Sequence, residues 1–438
     1  MSDSINTLSF LLIFFGFPLT LYMSARFTGK NIQMLSPSYL VILTLFAFSY
    51  VGILPLYFEW DQYYFDIGVR DKSTITQMLL CSSIVILSFI LGSLTLAHRF
   101  PKPILMKSRI EDINEFSLMD KLLIAVVMIF ILAVLMLYVS KVDNLAILLI
   151  FANDSEAAKL ARSAMGNNFS GGYHWYSLVM HEFMYIVTLS LFVNCLKSKS
   201  LSNLVFFGVA FLINSFSLLM STEKAPFMWL IISMVVTHLF VRKSGYVQIR
   251  MFAKFTAFAL ILATILMSLF MGVEDLLLSF YSIFSRLFSG SIAPSYFYLG
   301  YIPEHQDFLF GRSFPNPAGI LPFEHFRLTV EVMNWRFPEL AGLGIVGSSP
   351  TAFWAEAYSN FSYIGIIFFG FIMGVYTSIA FSLTSKLPNS AVSIAFSVWL
   401  IMHFKDLSQS GFSGYFFDMK LAFVLMFCVF INKVIKRT

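Results

Sequence analysis

The chain has 438 residues, of which 58% are hydrophobic and 12% charged, with a net charge of +5. Soluble domains are about 45–50% apolar and about 25% charged, so this composition excludes a soluble enzyme and describes an all-α, polytopic transmembrane helical bundle. The modest positive balance, with no long run of lysine or arginine, excludes a nucleic-acid-binding protein.

A hydrocarbon core about 30 Å thick needs roughly 20 apolar residues in a helix. Eleven apolar runs of about that length follow one another, at about 5 to 25, 36 to 58, 74 to 97, 121 to 140, 175 to 196, 201 to 220, 226 to 241, 252 to 272, 353 to 384, 389 to 404 and 416 to 432. The ninth is longer than one crossing requires. Gly365, Gly370 and Gly374 lie within it, consistent with tilt or with a start outside the bilayer. The pattern reads as one transmembrane domain over 1–438, with an outer loop at 141–174 that carries a short helix and a large outer loop at 273–352 forming a cap. The start, Met1-Ser2-Asp3-Ser4, has no positive n-region, so the first helix is expected to be retained. Cys81, Cys195 and Cys428 sit in apolar runs without metal-ligand spacing and read as buried hydrophobes.

Lysine and arginine orient the bundle, because cytoplasmic loops carry the excess. One side receives Arg26, Lys30, Arg99, Lys102, Lys107, Arg109, Lys121, Lys197, Lys199, Arg242, Lys243, Arg250, Lys254, Lys386, Lys433, Lys436 and Arg437. The short loops of the other side hold only Arg70, Lys72, Lys224, Lys405 and Lys420. The expected protein is therefore a multi-pass protein of an inner or plasma membrane, with its N-terminus outside, its C-terminus cytoplasmic and both long loops outside.

In the first outer segment, Asp154 to Arg162 suits a short surface helix in which Glu156 and Lys159 could pair, and Gly166 to Gly172 suits a turn. The second segment opens with residues 276 to 288, helical in pattern but interrupted by Ser279, Ser282, Ser285 and Arg286, which reads as a helix lying in the membrane interface rather than a span. Beyond it, seven of the chain's 14 prolines fall between Pro294 and Pro350. The stretch is also rich in aromatics, so a folded cap accounts for it better than disorder.

That cap concentrates the polar chemistry. Arg286, Arg312, Arg327 and Arg336 place four guanidinium groups on one outer face, suited to a diphosphate, although each could instead pair with Glu304, Glu324, Glu331 or Glu339. His305 and His325 are candidate general bases, because imidazole as a side-chain type titrates near neutrality, and His325 has Arg327 two residues away. Glu356 opens the ninth run, where a carboxylate must be paired or functional, and Asn360 lies one turn later on the same helix face. His181 and Glu182 form a second polar pair, which reads as hydrogen bonding between helices. There is no DxD, GxSxG, HExxH or P-loop pattern. No metal site and no cofactor are expected.

Two stretches carry a resemblance: Ser221-Thr222-Glu223-Lys224-Ala225-Pro226 between the sixth and seventh runs, and Gly347-Ser348-Ser349-Pro350-Thr351 leading to Glu356-Ala357-Tyr358-Ser359-Asn360-Phe361-Ser362-Tyr363-Ile364-Gly365. Together with the loop layout they resemble the Wzy-type oligosaccharide repeat unit polymerases. This chain has Lys224 where that family usually has an arginine, and Phe361-Ser362 where it usually has Phe-Gly. The resemblance implies metal-independent glycosyl transfer on the outer face, joining undecaprenyl-diphosphate-linked oligosaccharide repeat units into O-antigen or capsular polysaccharide. It implies that Lys224, Arg286, Arg312, Arg327, Arg336 and Asn360 bind diphosphate or glycan and that His325 or Glu356 takes the acceptor proton. A chain-length regulator and a flippase are the implied protein partners, beside membrane lipids. A lipid-linked glycan ligase would need the same diphosphate site, and a transporter or flippase of the lipid-linked unit is the non-enzyme alternative.

Overall fold

The computed structural model describes residues 2–27, 34–95, 101–106, 110–152, 154–166, 169, 171–242, 247–271, 275–339 and 347–435. Apart from two two-residue extended pieces, its regular structure is helical. Ten helices among the described residues are long and apolar enough to cross a membrane. Nine coincide with the runs read from the sequence. The eighth and eleventh runs are also helical, as Ile249–Met271 and Met419–Ile435.

The tenth, Leu276–Tyr301, joins residues 276–288, expected to lie in the membrane interface, to Ser289–Ile292 and Pro294–Tyr301 in one helical run of 26 residues. Within this run Ser291 Oγ donates to the Leu287 carbonyl at 2.7 Å and Ser295 Oγ to the Ile292 carbonyl at 2.7 Å, whereas Ser279 Oγ is buried without a hydrogen-bond partner among the described residues. A hydroxyl satisfied within its own helix costs little in an apolar setting.

Local signals explain several helix starts. Ser36 caps Pro37–Leu45 by accepting from the Tyr39 N–H, with Pro37 where a missing donor does no harm. Ser117 and Asp120 form a reciprocal capping box ahead of Leu118–Val139. Asp154 caps Ser155–Met165, the short helix expected in the first outer loop. The side chains of Glu156 and Lys159, expected to pair there, lie outside the described residues, as does part of the large loop, 340–346.

The chain divides into two compact units, one made of Met1–Phe100, Phe284–Ala380 and His403–Asp418, the other of Pro101–Ile283, Phe381–Met402 and Met419–Thr438. In the first unit, Lys72–Thr95 and the later part of Phe353–Leu383 approach backbone to backbone. A Cβ on Gly92 would fall on the Phe371 carbonyl, and one on Gly374 on the Phe89 carbonyl. Gly370 and Gly374, four residues apart, thus form the small-residue face that lets two apolar helices touch.

In the second unit, small polar side chains face inward. Asn214 Nδ2 donates to Thr188 Oγ1 at 3.0 Å, and Asn194 Oδ1 accepts from the Phe116 N–H at 3.0 Å. Asn203 Nδ2 donates to Glu115 at 3.0 Å, and this bond holds the Glu115 carboxyl below its usual range. Meanwhile Leu201, Leu212 and Ile129 are exposed, the reverse of a water-solvated pattern. Glu182 accepts from Trp399 Nε1 at 2.6 Å and pairs with Lys420 Nζ at 2.8 Å, so it ties helices together as its sequence position suggests. Cys81, Cys195 and Cys428 are buried free thiols.

Candidate functional site

The helix Phe353–Leu383 is broken. Phe361 (φ −141°, ψ 25°) and Ser362 (φ 56°, ψ −150°) leave helical geometry, so the first segment ends about two turns after it starts. A helix end in a buried place leaves carbonyls without partners, and here the loop 309–311 supplies them. The Leu309 N–H donates to the Ser359 carbonyl at 3.0 Å and the Phe310 N–H to the Asn360 carbonyl at 3.2 Å. The Gly311 N–H donates to Asn360 Oδ1 at 2.8 Å. To present three successive N–H groups the loop turns through the left-handed region at Phe310 (φ 48°) and Gly311 (φ 95°).

Ser362 adopts a backbone conformation that is essentially reserved for glycine and costs a non-glycine residue about 1–3 kcal/mol. Ser362→Gly is therefore expected to raise the thermal unfolding midpoint in detergent, with Ser362→Val lowering it. Equal midpoints for the three proteins would show that this position carries no strain.

The capping loop also delivers Ser313 to Glu356, one turn before the break. Glu356 Oε1 accepts from Ser313 Oγ at 2.7 Å and from Ser413 Oγ at 2.6 Å, while Oε2 accepts from the Ser413 N–H at 3.2 Å. Asn360 Nδ2 donates to Ser313 Oγ at 2.8 Å and to the Glu356 carbonyl at 2.8 Å. Asn360 is fully buried, and with every polar atom of its amide engaged it braces the site. Gly411 completes the enclosure, because a Cβ there would strike Glu356 Oε2.

A cavity of about 400 Å³ opens beside this carboxylate, lined among others by Tyr298, Ser313, His325, Arg327, Thr351 and Glu356. Three of the residues singled out from the sequence, His325, Arg327 and Glu356, thus share one cavity within the first unit. His325 is oriented by its Nδ1, which lies 2.9 Å from the Phe314 carbonyl. A carbonyl can only accept, so Nδ1 carries the proton, and in the neutral ring Nε2 is left with the lone pair. Arg327 stands at the N-terminal cap position of the helix Leu328–Arg336, with no side-chain bond to it, and the first helical residues Leu328, Thr329 and Val330 also line the cavity.

The other basic candidates are placed elsewhere. Arg336 donates to the Ile67 carbonyl and lies over the rings of Phe297 (5.2 Å) and Phe337 (5.4 Å). Arg312 is exposed, over Phe326 at 5.8 Å. Arg286 is exposed and near Tyr64, whose phenol is pushed up to about 12 by burial and by Asp61, with Arg286 opposing. Lys224 belongs to the second unit, where its Nζ lies 3.7 Å from Met267 Sδ.

The sequence reading missed Ser313, Ser413 and Gly411. Ser413 lies 57 residues from Glu356 along the chain, and only the small-residue run Gly411-Phe412-Ser413-Gly414 among aromatics hints that a backbone must pass closely there. Among the described residues no group of histidine, cysteine, aspartate or glutamate side chains has the arrangement of a metal site. Compared with protein-family models, with curated proteins and with solved structures, the chain finds no match.

Proposed function

We propose that this protein is a membrane glycosyltransferase that joins lipid-diphosphate-linked oligosaccharide repeat units into a polysaccharide, with undecaprenyl diphosphate as the lipid carrier. The observation that carries this reading is the convergence of His325, Arg327 and Glu356 on one cavity beside a broken helix. Irregular backbone within an apolar helix is sustained where protein supplies its hydrogen-bond partners, as loop 309–311 does here, and the three groups are what the transfer needs.

In the proposed reaction an acceptor sugar hydroxyl attacks the anomeric carbon of the donor glycan. The new C–O bond forms as the bond from that carbon to the diphosphate breaks, and the lipid diphosphate leaves with the electron pair. The hydroxyl proton passes to His325 Nε2, which the Nδ1 contact to Phe314 leaves free to accept it. Arg327 meets the negative charge developing on the leaving diphosphate, aided by the positive end of the helix that starts after it. Glu356 holds its place through three donors and favours the imidazolium that forms.

The deciding experiment reconstitutes the purified protein in proteoliposomes with lipid-linked repeat units. Lengthened glycan on the lipid is expected. Movement of the unit across the bilayer with no lengthening would assign a transporter instead, and transfer to a different acceptor would assign a ligase.

In this reading residues 302–339 face outward and the basic loops face the cytoplasm. With cysteines introduced into spheroplast-displayed protein, Glu304→Cys is expected to react with a membrane-impermeant maleimide and Lys199→Cys only after lysis. The opposite labelling would invert the orientation and remove the catalytic face from the outer surface.

A further inference from the structure

Beyond the catalytic cavity, the first unit carries an aromatic platform that the reaction does not use. Trp335 packs against Tyr301 with ring centroids 5.4 Å apart and against His305 at 4.9 Å, and Tyr301 and His305 lie stacked at 6.4 Å. Trp335 is 36% exposed as a residue and His305 is exposed as well. A Cβ on Gly300 would lie 3.6 Å from the edge of Trp335, an ordinary van der Waals distance, so the indole rests against the helix Pro294–Tyr301. Glu331 lies within electrostatic reach of Tyr301, and Glu304 precedes His305 and is exposed.

The platform and the cavity share one helix. Trp335 stands in the helix Leu328–Arg336, and Arg327, at its N-terminal cap position, lines the cavity. Eight residues of helical rise separate the two, roughly 12 Å. The guanidinium of Arg336, next to Trp335, is committed to the Ile67 carbonyl and two phenylalanine rings, so the polar groups offered beside the platform are carboxylates and an imidazole.

We propose that Trp335, Tyr301 and His305 form a glycan subsite that holds a neutral oligosaccharide leading toward the cavity. The proposal rests on the glycosyltransferase reading and names the part of the substrate that the platform grips. A pyranose ring presents a face of C–H groups, slightly positive at hydrogen, and the electron-rich face of an indole attracts such a surface. Hydroxyls at the ring edge are donors that carboxylates and imidazole accept. Held this way, the glycan contributes binding energy remote from the reacting centre, which orients its linkage at the cavity.

The test applies the purified full-length protein in lipid nanodiscs to an array of free oligosaccharides that lack any diphosphate. The wild type is expected to hold at least one neutral glycan. Trp335→Ala and His305→Ala should weaken it by roughly tenfold or more, the scale of a stacking contact plus a hydrogen bond, with Trp335→Phe retaining most of the binding. No neutral glycan held by the wild type, or equal binding by well-folded Trp335→Phe, Trp335→Ala and His305→Ala proteins, would overturn the subsite. Quenching by brominated lipid of the fluorescence that Trp335→Phe removes would also overturn it, by assigning the ring to the membrane interface. The same preparation is assayed for glycan lengthening. Array binding without lengthening would reject the enzyme reading and keep the subsite, and lengthening without array binding would do the reverse.

Discussion

Replacing His325 by alanine is expected to abolish lengthened glycan while leaving the protein at wild-type abundance in the membrane. The ring is exposed at the cavity mouth, and its one structural tie is the Nδ1 contact to the Phe314 carbonyl. Removing it opens no buried cavity and leaves one carbonyl near water. The rate loss expected for a general base is about 10²–10⁴, enough to turn long chains into single repeats on a gel. Arg327→Ala should behave alike, with a loss of about 10²–10³ for one lost electrostatic contact to a developing charge. Arg327→Lys should recover only part of it, because an ammonium cannot clamp a phosphate bidentately. Arg336→Ala should differ in kind. Its guanidinium serves the Ile67 carbonyl and two aromatic rings, so that variant should lower the unfolding midpoint and the amount of protein. Wild-type chain lengths in both His325→Ala and Arg327→Ala would remove the cavity from the mechanism.

The second large effect is expected at Glu356, where the choice of substitution separates charge from packing. Glu356→Ala would strand the Ser413 N–H and leave two serine hydroxyls without their acceptor, each unsatisfied buried group costing about 1–3 kcal/mol. That variant should be depleted from the membrane. Glu356→Gln keeps the shape: the amide oxygen can face the Ser413 N–H, and the hydroxyls of Ser313 and Ser413 can rotate to accept from the amide nitrogen. It is expected to fold and yet lose most activity, since the charge that favours the imidazolium is gone. Gly411→Ala should lose activity by a different route, pushing its methyl into the carboxylate. Normal product from a well-folded Glu356→Gln protein would reduce Glu356 to a structural brace.

Much of the fold was legible because burial in lipid demands long apolar runs. Nine of the ten qualifying helices could be read from run length alone. The exception, Leu276–Tyr301, does not show as one apolar run because Ser279, Ser282, Ser285 and Arg286 interrupt it and Pro294 falls within it, whereas the structure joins its pieces into one helical run. Charge and position also picked out His325, Arg327 and Glu356. They could not separate Arg327 from Arg312 and Arg336, because a guanidinium on an aromatic ring and one facing a cavity look the same in one dimension.

By itself, then, the sequence determined that the chain is an all-α protein of many apolar helices and where its few charged side chains stand along it. Hydropathy and helix length depend only on residues near one another in the chain. The tertiary structure alone decided that the helix from Phe353 breaks at Ser362, that the loop 309–311 caps the break, and that Ser313 and Ser413 meet on Glu356. Those facts depend on hydrogen-bond partners 43 and 57 residues apart, and no local pattern records which distant donor will reach a buried carboxylate.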